Sequence, residues 1–146
     1  MPLRPAAGSI ATTSQVIMNG GILNPDGINQ MMGSTTMALT GTTITSVIDY
    51  GTGASEIDFA NSSAVAWTAG DVLDLLNWTP GVDALRFGTD NTGLTAAQLA
   101  MIEINGDSST LGMATLDGNG FVVVPEPASL SLLGLGAVGF LARRRK

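Results

Sequence analysis

Asp71 and Asp74 come closest, by type and spacing, to a pair that could do chemistry. Two carboxyl groups flanking a glycosidic bond can act as general acid and as base or nucleophile. These two lie three apart in GDVLDLL, which reads as a strand, and a strand turns residues three apart to opposite faces. The reading adopted for them is therefore that of ordinary solvated turn acids, with hydrolysis as the competing one. Nothing else in the chain widens the catalytic repertoire. Its 146 residues include no His and no Cys, which removes a Ser-His-Asp triad, a cysteine nucleophile, a histidine base and ordinary zinc sites.

Binding chemistry is scattered in the same way. Asp83, Asp90, Asn91, Asp107 and Asp117 could supply oxygen ligands for Ca²⁺, but no EF-hand or repeated nonapeptide spacing joins them. Turn chemistry accounts for the same residues. Trp67 and Trp78 suit either a sugar-stacking platform or the interior of a sheet. Thr40, Thr42, Thr43 and Thr45 could order water against ice only on one flat face, and their spacing is irregular. The expectation is a protein without catalysis, without a cofactor and without a metal.

The elements that must position these residues read as β. Only 12% of residues are charged and 19 are Gly, a composition suited to many turns, while 45% hydrophobic content argues against a disordered chain. Val16 to Met18 and Ile22-Leu23 are short apolar pieces, the second closed by the turn string Asn24-Pro25-Asp26-Gly27. The run from Met37 to Tyr50 reads as one strand. Ile57 alternates with Phe59, Leu73 and Leu75 share a face opposite Val72, Leu76 and Trp78, and Leu85 shares a face with Phe87. Thr95 and Gln98 form a capping box, predicting a helix of about two turns before Ile102-Glu103-Ile104 returns to strand. Leu111 to Leu116 and Phe121 to Val124 are expected to pair as a hairpin across Asp117-Gly118-Asn119-Gly120. Short apolar pieces at close spacing suggest rungs of a parallel β-helix, with a compact β-sandwich as the alternative.

The stretch from Val124 onward differs in kind. Pro125-Glu126-Pro127 precedes an uncharged run, Ala128 to Ala142, and then Arg143, Arg144, Arg145 and Lys146. As a helix, those fifteen residues would reach about 22 Å, short of a ~30 Å hydrocarbon core. Four terminal cations extend the span by snorkelling and mark the cytoplasmic side. The expectation is a single transmembrane helix with its basic end inside. Before that cluster only Arg4 and Arg86 are basic, two cations against twelve acids, a net of −10 for residues 1–142. A body this acidic repels phosphate backbones, which excludes nucleic acid as a partner.

Two further stretches carry a resemblance. AVAWTAGDVLDLLNWTPGVDALRFGTDNTGLTAAQLAMIEING and ATLDGNGFVVVPEP resemble the ends of bacterial surface proteins of the PEP-CTERM sorted group. Many of that group carry upstream repeats like the autotransporter-associated β-strand repeats. The shared features are a Trp strand, the pair Asn77-Trp78, the segment Asp83 to Gly88, and the segment Gly93 to Leu99. The likeness covers residues 35–146 and implies a structural cap finishing a β-solenoid. It further implies that exosortase, a membrane-embedded transpeptidase, reads Pro125, Glu126 and Pro127. By the same resemblance Leu130, Leu132, Leu133, Leu135, Val138, Phe140 and Leu141 hold the substrate in the bilayer, and Arg143 to Lys146 stop transfer. The same signal is also labelled an ice-binding protein C-terminal domain, a name that does not establish ice binding.

The organisation expected is thus a β-rich segment at 1–34, a β-rich cap at 35–122 with a short helix at 95–101, and a sorting signal at 123–146. The fold class expected is all-β, ending in one transmembrane helix. Met1-Pro-Leu-Arg-Pro-Ala-Ala-Gly lacks the pattern of a signal peptide, so either export takes another route or, the expectation adopted, the true start lies upstream in a longer protein. Partners would be exosortase, inner-membrane lipid and, as a further reading, exopolysaccharide. The chain would pass through the inner membrane of a Gram-negative bacterium to the cell surface or extracellular matrix. A polysaccharide- or ice-binding surface module delivered by the same signal is the alternative.

Overall fold

The computed structural model describes residues 15–31 and 34–124. Its strands are short because Gly, Asn and Asp interrupt each apolar piece, and the chain turns a corner at each interruption. The first circuit is β1 (Val16–Met18), β2 (Ile22–Leu23) and β3 (Gln30–Met31); the second is β4 (Met37–Leu39), β5 (Thr45–Asp49) and β6 (Glu56–Phe59). The third adds β7 (Val72–Leu76) and β8 (Ala84–Phe87). Each strand then pairs in parallel with its counterpart one circuit later, giving sheets β1-β4, β2-β5-β7 and β3-β6-β8. Partners lie 27 residues apart at Thr45 and Val72 and 28 apart at Glu56 and Ala84, which is the length of one rung.

Parallel rung-on-rung pairing is a solenoid-like arrangement and not that of a sandwich, whose sheets are antiparallel. The interior consists of side-chain ladders running along the stack. Leu23, Ile48 and Leu75 are in register, as are Ile57 with Leu85 and Phe59 with Phe87, all buried. The Phe59 and Phe87 rings stack at 5.3 Å. Fully burying one such side chain contributes roughly 1.5–3 kcal/mol, so a ladder of three or four is a large part of the stability of one face.

Three elements close the far end. Helix α1 (Ala96–Leu99) has both bonds of the capping box: Thr95 Oγ1 accepts from Gln98 N, and Gln98 Oε1 accepts from Thr95 N. It is one turn long, shorter than expected, because Met101 N already closes on Gln98 O and Ile102 begins β9 (Ile102–Ile104). β9 adds a fourth strand beside β7, and Ile104 extends the Leu75 ladder. A 3-10 turn at Ser108–Thr110 leads to the expected hairpin, β10 (Thr115–Leu116) with β11 (Val122–Val123), antiparallel across residues 117–120.

One expected strand is broken. The run from Met37 to Tyr50 divides at residues 40–44, where Thr43 takes a φ of +59°. The corner is imposed from the next rung: Asp71 accepts the N–H groups of Gly41 and Ile44. The expected strand at 111–116 likewise shrinks to its last two residues. The transmembrane helix expected over 128–142 lies outside the described residues; among the described residues no helix is long and apolar enough to cross a membrane.

Candidate functional site: the cap and the chain leaving it

The carboxyl pair first considered is not a pair. Asp71, buried, sits in the corner before β7 with both oxygens on backbone N–H groups, Gly41 N at 2.5 Å and Ile44 N at 3.1 Å. Asp74 lies on the strand itself, paired in register with Glu103, and accepts from Gly106 N at 3.0 Å. Each fixes the backbone of a neighbouring rung.

The acids considered for Ca²⁺ are equally separate. Asp83 accepts from Ser55 N and Thr79 N; Asp90 from Thr92; Asp107 from Ser109; Asp117 from Asn119 N and Phe121 N. These N–H and hydroxyl donors pull the Asp90 and Asp107 carboxyls below the ordinary range, the Thr92 and Ser109 hydroxyls first, and the Phe121 and Asn119 N–H groups do so for Asp117. Asn91 is exposed in the turn after Asp90. Among the described residues no group of three or more acids is placed to hold a metal ion.

The tryptophans are interior. Trp67 donates from Nε1 to Met37 O at 3.0 Å and meets Phe87 edge-on; Trp78 meets Tyr50 edge-on at 5.1 Å. Tyr50 is wholly buried, donates to Ala84 O, and burial holds its phenol well above the usual value. Of the four threonines, only Thr45 is on a strand; Thr40, Thr42 and Thr43 straddle the 40–44 corner, so they do not make a flat ladder.

One polar grouping escaped the sequence reading. Asp58 on β6 and Arg86 on β8 are in register and form an ion pair on the outer face of the third sheet. Arg86 also lies over the Phe121 ring, 5.3 Å from its centroid. Glu56, two residues before Asp58, has its carboxyl raised by partial burial and then by the adjacent Asp58 charge. The pair lines an open groove of about 530 Å³ together with Asn61, Thr89 and Asp90. A signal was available: Arg86 is the one cation between Arg4 and Arg143. Its partner 28 residues away was not legible until the rung length was known.

At the closed end the hairpin carries the last described residues. Phe87 N donates to Gly120 O, and Arg86 bridges Phe121 antiparallel, so the hairpin continues the third sheet beyond β8. Gly120 is required there. It has φ +86°, and a Cβ would stand 2.7 Å from Phe87 O. Gly93 is tighter still, since its Cβ would fall 1.8 Å from that same oxygen. Val122 is buried in the core, and Val124, partly buried, still packs against it. Pro125 follows at once. The residues assigned to recognition (Pro125, Glu126, Pro127), to the membrane span (Leu130 to Leu141) and to transfer arrest (Arg143 to Lys146) lie outside the described residues.

Comparison with curated proteins and with solved structures gives no match for this chain. A family model does match its last stretch, beginning inside β11 where the hairpin is still paired. Residues 123–146 match the model described as the PEP-CTERM protein-sorting motif, and the chain therefore carries that sorting signal directly after its β-solenoid-like body.

Proposed function

We propose that this is a non-enzymatic, exported bacterial surface or matrix protein whose sorting motif is read and processed by exosortase. The observation that carries the reading is the motif at residues 123–146, with its tripeptide, apolar run and basic end in that order. In this account Pro125, Glu126 and Pro127 are the recognition element, held extended because each proline fixes φ and restricts the residue before it. Leu130, Leu132, Leu133, Leu135, Val138, Phe140 and Leu141 sit in the inner membrane while Arg143, Arg144, Arg145 and Lys146 stay on the cytoplasmic side. The body needs no chemistry of its own, and the use of Asp71, Asp74 and Asp83 as backbone acceptors supports that.

The test is processing in a host that makes exosortase. Wild type should appear as a shortened species at the surface or in the medium, whereas Glu126→Ala with Pro127→Ala should accumulate as a full-length membrane species. Equal processing of both, or an intact chain in the soluble cytosolic fraction, would overturn the reading. A second reading, a module that binds exopolysaccharide, draws on the open groove beside Asp58 and Arg86, whose rim groups Asn61, Thr89 and Asp90 suit hydroxyl-rich ligands. Glycan-array binding that is lost in Asn61→Ala with Asp90→Ala would favour it.

A further inference from the structure

We propose that the closed end of the stack is a membrane-contact face, lying against the lipid surface while the apolar run of the sorting motif is in the bilayer. The proposal rests on the membrane reading of Leu130 to Leu141 and adds which side of the body meets the lipid.

Chain length sets the geometry. The body ends at Val124, packed against the core, and only residues 125–129 separate it from Leu130. At up to about 3.5 Å per residue, Leu130 can be no further than about 21 Å from Val124. With the span inserted, the end of the stack that bears β11 is held within that reach of the membrane.

That end is where apolar side chains are left in water. Val82 is 53% exposed, Leu111 42%, Met113 49% and Val123 45%. Met113 and Val123 belong to the closing hairpin and the segment that enters it, with Leu111 two residues before Met113. Val123 is in register with Thr115, two residues after Met113. Val123 and Val124 also line a groove of about 250 Å³ with Trp78, Pro80 and Gly81, the loop that carries Val82. The other large exposed hydrophobics among the described residues are Ile17, Ile22 and Met31, all on the first rung at the opposite end. The middle of the stack has none.

Single exposed apolar side chains are ordinary, but four on the segments that close the stack, at the end that bears Val124, supply the apolar surface that an interfacial contact requires. Charge does not supply the attraction. The one cation of the described residues, Arg86, is paired with Asp58, and the body is acidic. The contact is apolar insertion, so it belongs to a lipid surface and not to an anionic headgroup.

The chain has no cysteine, which makes the test clean. Single variants Val82→Cys, Met113→Cys and Val123→Cys, and the controls Ile17→Cys, Ile22→Cys and Met31→Cys, are made in the full chain. Each carries an environment-sensitive dye and is reconstituted into phosphatidylcholine vesicles. All six positions are exposed, so the fold is not at risk. Flotation with the vesicles, with blue-shifted emission at 82, 113 and 123 and water-like emission at 17, 22 and 31, is the expected result. Flotation with six alike spectra overturns the contact face while leaving the anchor intact. Failure to float overturns both. Blue shifts at the closed end that appear only when exosortase is added overturn lipid contact in favour of a protein one.

Discussion

Asp71 shows what the acids of this body do. Its two oxygens hold the Gly41 and Ile44 N–H groups and so make the corner between β4 and β5. Asp71→Ala leaves two half-buried donors without that partner and should cost about 1–3 kcal/mol in chemical denaturation, with Asp71→Asn costing less because one acceptor survives. The exposed turn acids give a pH dependence of fixed sign. Asp90, Asp107 and Asp117 have carboxyls lowered in the folded state, so their contribution is complete above the ordinary carboxyl range and is lost as pH falls below about 4. Glu56, raised by burial and by Asp58, runs the other way, and its contribution declines as pH rises through that range. Urea midpoints from pH 3 to 7 should therefore fall at the acid end, with a shallower fall in Asp117→Asn. Glu56→Gln should gain stability at neutral pH relative to pH 4.

At the scale of elements, α1 works as a plug for the first face. Gln98 is buried, completes the capping box, and donates from Nε2 to Ser62 O and Val65 O on the rung below. Thr95→Ala removes one cap bond and should cost about 1 kcal/mol. Gln98→Ala also takes a donor from two carbonyls, leaving Ser62 O with Val65 N alone, and should cost clearly more, an order that denaturation midpoints would check. This plug was readable in the sequence, because a capping box is local chemistry confined to four residues. The hairpin was readable for the same reason, as was the alternation that puts Leu73 and Leu75 inside. The corner at 40–44 was not. MALTGTTITSVIDY looks continuous because nothing within it forces the turn; Asp71, 30 positions beyond Gly41, does. The Asp58 and Arg86 pair was hidden by the same non-locality. The sorting motif was the reverse case, being legible as a linear string that no fold is needed to assemble.

At the scale of the whole molecule, the stack is finished at one end by β9, α1 and the hairpin, so that β8 does not present a bare edge along the third sheet. Unpaired edges recruit other chains. Gly120→Val, which would drive a side chain onto Phe87 O, should unseat the hairpin and raise light scattering with concentration, while Asn119→Ala at the exposed tip should not. The position of Val124 also sets how the stack bears load. The bonds between rungs run along the stack, and Val124 lies at its closed end, so tension on that point loads the outermost bonds in sequence, as in a zipper, and not all together in shear. A body pulled at Val124 would open at low force from that end, β11 first and then β8. The rung formed by β1, β2 and β3 would be the last to feel the load.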